Sequence, residues 1–142
     1  MKPYLLKNKK PTVIELFAGA GGMALGLEKA GFDNKMLIDN NKDCIKTLRK
    51  NRPKWNIVEQ DIQEFDFVGM KADVVTGGFP CQAFSHAGNK LGFNDTRGTL
   101  FYEFARAVKE IKPKMFLAEN VEAIIRNDNG KTLRTIMDVL SS

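Results

Sequence analysis

Short apolar runs alternate along this chain with segments in which apolar residues recur every three or four positions. The apolar runs predict five strands, in order over residues 12–17, 35–38, 55–58, 72–76 and 115–118. The helical spacing predicts four helices. They lie over 23–30, after Asp39 through Cys44, Ile45 and Leu48 to the closing proline at 53, over 100–111 and over 131–140. Strands that alternate with helices are typical of an α/β fold, in which a mostly parallel sheet has helices on its faces.

One stretch does not follow either pattern. From residue 79 to about residue 98 the sequence has no periodicity and is rich in glycine and polar residues. Loops of this length inside a compact domain are usually functional or disordered. We therefore expect this loop to carry chemistry.

Composition adds a few limits. The 142 residues are enough for one domain over 1–142, and the net charge of +5 is only mildly suggestive of a polyanionic partner. No apolar run is long enough for a membrane span, and the N-terminus is too polar for a signal peptide. Two cysteines and one histidine predict neither a disulfide framework nor a metal site, which fits a reducing, cytoplasmic setting.

The first three strands end in residues that suit an adenosine-type ligand. Gly19 and Gly21 lie in the turn after the first strand, where glycine allows a ligand to approach the backbone. Asp39 ends the second strand, where a carboxylate can accept hydrogen bonds from ribose hydroxyls, and Asp61 ends the third, near where an adenine amino group would lie. Each aspartate alone could equally be a helix cap or a turn residue.

The fourth and fifth strands end in residues that suit covalent catalysis. Cys81 follows Pro80 in a glycine-rich turn after the fourth strand, and Glu119 ends the fifth. Neighbouring parallel strands would direct both residues to one crevice. A thiolate paired with a protonatable carboxyl suits attack on a conjugated ring, because the acid relieves the negative charge that develops. A buried cysteine and a solvated carboxylate are the simpler alternatives.

These residues stand in a sequence that resembles the N-terminal part of cytosine-C5 DNA methyltransferases of the bacterial restriction-modification type. The run Glu-Leu-Phe-Ala-Gly-Ala-Gly-Gly at 15–22 is similar to the first motif of that family, with Glu15 where aspartate is commoner. Asp39 and the pair 61–62 look like the second and third motifs, although Asn40 replaces the usual aromatic residue. The runs Gly-Gly-Phe-Pro-Cys-Gln-Ala-Phe-Ser at 77–85 and Glu-Asn-Val at 119–121 match the fourth and sixth.

The resemblance implies a fold, a mechanism and a set of sites. The fold would be an incomplete Rossmann-like S-adenosylmethionine-dependent methyltransferase fold of about five strands. A cytosine flipped out of double-stranded DNA would be attacked at carbon 6 by Cys81, while Glu119 protonates the neighbouring ring nitrogen and carbon 5 takes a methyl group from S-adenosylmethionine. The implied cofactor residues are Phe17, Gly19, Gly21, Asp39, Asp61, Ile62, Pro80 and Leu100. The implied DNA contacts are Gln82, Ser85 and Arg97.

The resemblance also indicates what this chain lacks. We find no later arginine-rich motif, no target-recognition region and no C-terminal motif that completes the cofactor site. We therefore expect a truncated product or one half of a split enzyme, with a second polypeptide supplying the rest. Such a chain would not methylate a specific DNA sequence by itself.

Three other functions remain open at this stage. A tRNA cytosine methyltransferase shares the Pro-Cys and Glu-Asn-Val elements. A non-catalytic remnant that binds a cofactor or a partner would explain the missing motifs. A nicotinamide-dependent oxidoreductase would explain the glycine turn and Asp39, but it leaves Cys81 and Glu119 without a role.

Overall fold

A single parallel sheet organises the chain. The structure is a computed structural model that describes residues 9–80 and 99–141. Within these residues the sheet has five strands in the order β3-β2-β1-β4-β5, and every neighbouring pair is parallel. The strands are β1 (Thr12–Leu16), β2 (Asp33–Asp39), β3 (Ile57–Glu59), β4 (Val74–Gly77) and β5 (Met115–Ala118). The predicted α/β fold with five strands is thereby confirmed.

Four helices connect and cover these strands. They are α1 (Gly22–Lys29), α2 (Lys42–Asn51), α3 (Thr99–Ile111) and α4 (Lys131–Ser141). Helix α2 begins at a side-chain cap, because Asn41 Oδ1 accepts hydrogen bonds from the amides of Asp43 and Cys44 at 3.0 and 3.1 Å. The four predicted helices are confirmed, with ends that differ by only one or two residues.

The third strand differs from its prediction. The sequence predicts a strand over 55–58, whereas β3 begins at Ile57. The amide of Trp55 donates to the carbonyl of Arg52 at 3.0 Å, which makes Trp55 part of the turn after α2. The Trp55 indole packs against the buried apolar cluster that contains Leu37 and Leu48. The apolar character of Trp55 therefore serves the packing of this turn and does not mark a strand residue.

The two faces of the sheet bury different sets of side chains. Ile14, Leu16 and Val75 point to the face covered by α3, which contributes Phe104 and Ala107. The opposite face, around β2, is covered by α1 and α2, and its buried residues are Ala18, Ala24, Leu37, Ile45 and Leu48. This layering follows from the period-two alternation of strand side chains and leaves the ends of the strands accessible.

Short 3-10 turns complete the described part of the chain. They cover Ile62–Glu64, Glu122–Ile125 and Asn127–Gly130. The sequence reasoning did not predict them, since three or four residues are too few to show a periodicity. The first of these turns lies beside the carboxyl ends of the strands and belongs to the site described next.

Candidate active site

The carboxyl ends of four strands meet at one edge of the sheet. Strand β1 leads into the turn at Phe17, β2 ends at Asp39, β4 leads through Gly78 to Pro80, and β5 leads into Glu119. In open α/β sheets ligands bind in the crevice outside these ends. The sequence-predicted residues that the structure describes therefore lie on the side of the sheet where ligands are expected.

An open cavity of about 330 Å³ lies at this edge. Its size falls within the lower range of pockets that hold small ligands. Apolar and polar groups share its walls: Phe17, Ile38, Asp39, Asn40, Asn41, Cys44, Gln60, Ile62, Gly78, Pro80 and Leu100. Five of the predicted cofactor residues, Phe17, Asp39, Ile62, Pro80 and Leu100, thus line one cavity.

The turn after β1 has an unusual backbone. Phe17 adopts a φ of 55°, Gly19 a φ of 54° and Gly21 a φ of 88°. Left-handed backbone costs a residue with a side chain about 1–3 kcal/mol, so Phe17 is held there by its surroundings. A Cβ on Gly21 would lie 2.5 Å from Leu48 Cδ2. The backbone at Gly21 therefore lies so close to α2 that a side chain would have to displace Leu48. Gly21 is therefore buried in helix packing, whereas Phe17 lines the cavity.

Asp39 connects the first two strand ends. Its Oδ2 accepts a hydrogen bond from the amide of Gly19 at 2.7 Å, and its Oδ1 accepts one from the amide of Asn41 at 2.7 Å. These bonds fix the carboxylate at the rim of the cavity. A carboxylate oxygen has more than one acceptor site, so Asp39 can still accept from a bound hydroxyl.

Asp61 has a clear local role. Its Oδ1 accepts a hydrogen bond from the amide of Gln63 at 2.9 Å and caps the turn Ile62–Glu64. The capping role left open by the sequence is therefore present. Its neighbours Gln60 and Ile62 line the cavity, and a contact between Asp61 and a ligand stays a prediction.

Cys44 lines the cavity as well, a position that the sequence analysis did not assign to it. Cys44 is half-buried in the first turn of α2 and lines the cavity together with Asn40 and Asn41. Helix α2 starts three residues after Asp39, so its first turn necessarily faces the ligand side of the sheet. Gln60 and Gly78 were also missed as lining residues, and their positions directly after β3 and β4 are the signal that could have found them.

Glu119 lies against the backbone that leaves β4. Its amide donates to the carbonyl of Gly77 at 3.0 Å, which continues the pairing of β5 with β4. A Cβ built on Gly78 would lie 2.9 Å from Glu119 Oε2, a distance that side chains essentially never adopt. A side chain at position 78 would therefore displace the Glu119 carboxylate from its present position.

Asn120 fixes the same stretch of backbone. Its Nδ2 donates to the carbonyl of Phe79 at 2.7 Å, and its Oδ1 accepts from the amide of Val121 at 2.9 Å. The ring of Phe79 is buried, with centroids 5.3 Å from Phe101 and 5.7 Å from Phe104. The chain is thus held on both its polar and its apolar side two residues before Cys81.

Four predicted site residues lie outside the described residues. They are Cys81, Gln82, Ser85 and Arg97. The described backbone reaches Pro80, which lines the cavity, and resumes at Thr99 before Leu100, which lines it too. The predicted roles of the four residues stay predictions.

A buried carboxyl lies beneath the site. Glu15 in β1 is 3% exposed, and burial raises its pKa from 4.5 to about 7. Thr76 stands opposite Glu15 in the register of β1 and β4. Among the described residues, neither Glu15 Oε2 nor Thr76 Oγ1 has a hydrogen-bond partner. Glu15 was predicted only as part of the first motif, and its perturbed titration required the burial that the sheet imposes.

The fold and the cavity define a class of protein. A parallel sheet with a glycine turn after β1, an aspartate after β2 and a ligand-sized cavity between them is typical of α/β proteins that bind a nucleotide-like cofactor. Pro80 lines the cavity, and Glu119 and Asn120 lie beside the backbone that leads to it. In the sequence Cys81 follows Pro80, so nucleophilic catalysis stays the predicted chemistry.

Comparisons with known proteins identify the family. Residues 11–142 match the family model described as C-5 cytosine-specific DNA methylase. The chain is 59% identical over 138 residues to the Type II methyltransferase M.Eco47II of Escherichia coli, covering 96% of this chain and 33% of the relative. It is 58% identical over 135 residues to the Type II methyltransferase M.PspPI of a Psychrobacter strain, covering 94% of this chain and 32% of the relative.

A solved structure agrees with these relatives. A candidate DNA modification methyltransferase encoded within an Escherichia coli prophage superposes with a TM-score of 0.75 at 33% identity, covering 93% of this chain and 38% of that one. The chain belongs to the C-5 cytosine-specific DNA methylase family, and the Rossmann-like methyltransferase fold implied by the resemblance is confirmed. It spans about one third of the length of the curated relatives given above. Family membership excludes the nicotinamide-dependent oxidoreductase.

Proposed function

We propose that this chain is the N-terminal part of the catalytic domain of a DNA (cytosine-5)-methyltransferase of a restriction-modification system. One observation carries the proposal. Gly78 lines the cavity and also lies against Glu119, so the predicted cofactor site and the predicted acid are separated by a single backbone residue. Cys81 follows three positions later along the same strand exit.

Methyltransferases of this family generally use S-adenosylmethionine, and the cavity fits it. The carboxylate of Asp39 offers acceptors for ribose hydroxyls, and Asn40, Asn41 and Gln60 offer further polar contacts. Ile38 and Leu100 offer apolar wall for a flat base. S-adenosylmethionine would supply an electrophilic methyl group.

The proposed chemistry assigns distinct roles to Cys81 and Glu119. The Cys81 sulfur forms a bond to carbon 6 of a flipped cytosine while Glu119 delivers a proton to ring nitrogen 3, which makes carbon 5 nucleophilic. After carbon 5 is methylated, a base removes its proton. The bond between sulfur and carbon 6 then breaks, and Glu119 takes back the nitrogen-3 proton, which restores the aromatic ring and the thiolate.

Asn120 supports this chemistry by holding the Cys81 turn. Attack by Cys81 and protonation by Glu119 must act on the same ring, so the relative placement of the two residues matters for the rate. The contact of Asn120 Nδ2 with the Phe79 carbonyl links the end of β5 to the exit of β4. We assign Asn120 as a positioning residue for Cys81.

The partners in this proposal are double-stranded DNA and the polypeptide that forms the remainder of the family's catalytic domain. Strand β5 supports the second partner, because it is an edge strand whose Met115, Phe116 and Leu117 are 52%, 38% and 46% exposed. Open apolar edges are unfavourable in a protein that stands alone. We refer to the chain combined with that polypeptide as the complete assembly. Within the described residues, no helix is long and apolar enough to cross a membrane.

The proposal is tested by covalent trapping. DNA containing 5-fluorocytosine is incubated with S-adenosylmethionine and the complete assembly, and adducts are resolved by denaturing electrophoresis. We expect an adduct that disappears in Cys81→Ser, together with methyl transfer that falls strongly in Glu119→Gln. The chain alone should give no sequence-specific tritium transfer. An unchanged adduct in Cys81→Ser would refute the assigned nucleophile, and transfer to RNA in place of DNA would favour the tRNA enzyme.

A further inference from the structure

Arg106 in α3 joins two parts of the molecule that are distant in sequence. Its Nη2 donates to the carbonyl of Ile62 at 2.9 Å and to the carbonyl of Phe65 at 3.0 Å. Its Cζ lies 4.9 Å from the centroid of the Phe67 ring. The guanidinium therefore binds the 3-10 turn and the residues after it through two carbonyls and one aromatic face.

Two glutamates on the same helix hold this guanidinium in place. Arg106 Nε donates to Glu103 Oε2 at 2.6 Å, and Nη1 donates to Glu110 Oε2 at 3.5 Å. The Glu103 side chain is only 18% exposed, which reduces screening by solvent. Because both acidic partners belong to α3, the arginine is oriented by its own helix before it reaches across to the turn.

The joined elements form different walls of the same cavity. Ile62, whose carbonyl accepts from Arg106, lines the cavity from the turn after β3. Leu100, at the start of α3, lines it from the helix. Arg106 follows Leu100 by six positions in the helix, about 9 Å along its axis. Arg106 itself is not a lining residue, so its effect on a ligand must pass through the spacing of these walls.

We propose that Arg106 is a positioning residue that sets the distance between Ile62 and Leu100 and thereby the affinity for S-adenosylmethionine. The inference rests on the proposed function, since it takes the cavity to be the cofactor site. A lysine cannot replace the arginine fully, because one ammonium group that donates to both carbonyls could not also bond both glutamates and lay a planar face on Phe67. This role differs from a contribution to the stability of the whole fold, because it changes the affinity for S-adenosylmethionine and not the affinity for DNA.

The test measures cofactor binding and DNA reaction separately in the complete assembly. Calorimetry gives the Kd for S-adenosylmethionine, and trapping on 5-fluorocytosine DNA at saturating cofactor gives the adduct rate. For Arg106→Met we expect the Kd to rise about tenfold, the size expected for losing charge-assisted hydrogen bonds, with the adduct rate within about twofold. Arg106→Lys should show most of the same loss.

The matched control is Lys114→Met. Lys114 Nζ forms a 2.7 Å ion pair with Asp73 before β4, at the opposite end of the sheet from the cavity. The Lys114→Met substitution also removes a polar link between distant segments, but one remote from the cavity. The Kd of this variant for S-adenosylmethionine should therefore stay within about twofold of that of the unaltered assembly. A Kd in Arg106→Met equal to that of the control would overturn the inference, as would a fall in the adduct rate as large as the loss of cofactor affinity.

Two further arms keep the outcomes distinct. If Arg106→Met does not fold, Glu103→Gln is measured instead, because it loosens the guanidinium without removing it. We expect an increase in Kd of about threefold there, and an unchanged Kd would overturn the inference. Failure of the unaltered assembly to bind S-adenosylmethionine would refute the proposed function as well, whereas normal binding by Arg106→Met would refute the role of Arg106 alone.

Discussion

The side-chain amide of Asn120 donates a 2.7 Å hydrogen bond to the carbonyl of Phe79, across 41 positions of the sequence. The bond ties the segment after β5 to the turn that precedes Cys81. Since Glu119 precedes Asn120 directly, one short segment carries both the proposed acid and the group that holds the nucleophile's turn. The Asn120 amide therefore helps to set how the segment that carries Glu119 lies against the backbone that leads toward Cys81 in the sequence.

Replacing Asn120 should therefore affect the adduct more than the cofactor. In Asn120→Ala the Phe79 carbonyl loses its side-chain donor, at a cost of about 1–3 kcal/mol. We expect the rate of trapping on 5-fluorocytosine DNA to fall by about ten- to a hundredfold, with the Kd for S-adenosylmethionine within about twofold. Asn120→Asp is the isosteric control, which removes the donor and should also be slow. A normal trapping rate in both variants would contradict the positioning role.

The contact between Gly78 and Glu119 predicts that a methyl group at position 78 displaces the Glu119 carboxylate. In Gly78→Ala the new Cβ would lie 2.9 Å from Glu119 Oε2, so the carboxylate must move. We expect methyl transfer by the complete assembly to fall at least about tenfold, since catalytic groups lose efficiency when displaced by as little as 1 Å.

Gly26→Ala is the matched control for this change. Gly26 lies within α1, and a Cβ there would meet no atom within 4 Å. The substitution should leave activity unchanged and stabilise the helix by up to about 1 kcal/mol. Equal activity of Gly78→Ala and Gly26→Ala would show that the space beside Glu119 is not used.

The buried carboxyl of Glu15 predicts a pH dependence of stability. Its pKa is raised from 4.5 to about 7, so between these values the folded chain keeps a proton that the unfolded chain releases. The free energy of unfolding should therefore decrease as pH rises through this window, by about 3 kcal/mol in total. Glu15→Gln should remove most of this decrease and be more stable than the unaltered chain at pH 8.

Urea denaturation at pH 4.5, 6 and 8 measures this effect. Glu64→Gln is the control, because Glu64 is an exposed carboxylate and its substitution should leave the pH dependence in place. If Glu15→Gln kept the full decrease between pH 4.5 and 8, the raised pKa of Glu15 would not be its cause.

Asp73 predicts the opposite dependence at acid pH. Hydrogen bonds from the side chain of Lys114 and from the amide and hydroxyl of Thr12 hold the pKa of Asp73 well below its usual value. A lowered pKa contributes stability above about pH 4 that is lost as the pH falls below it. Asp73→Asn should thus be less stable than the unaltered chain at pH 7, and the difference should shrink on acidification.

Thermal unfolding at pH 7 and pH 3 provides the measurement. Asp43→Asn serves as control, because the Asp43–Lys46 pair is 3.5 Å long and largely exposed, and such pairs contribute little. A difference between Asp73→Asn and the unaltered chain that stayed constant down to pH 3 would exclude the hydrogen bonds of Asp73 as its origin.

Much of the fold could be predicted from local patterns. Strand β5 and the helix after it follow from apolar runs and helical spacing, which depend only on neighbouring residues. Glu119 and Asp39 could be proposed as site residues for a related reason. In a parallel sheet all strands end at the same edge, so a residue's position at a strand end already indicates its side of the molecule.

Other features depended on contacts between distant segments. The sequence by itself determined the alternation of strands and helices, the order of the family's motifs and the residues proposed for catalysis. Only the tertiary structure decided that Cys44 lines the cavity, that Gly78 makes room for Glu119 and that Arg106 reaches Ile62. The last contact spans 44 positions. Such contacts are set by how helices pack on the sheet, and no local pattern of hydrophobic and polar residues encodes the distances that result.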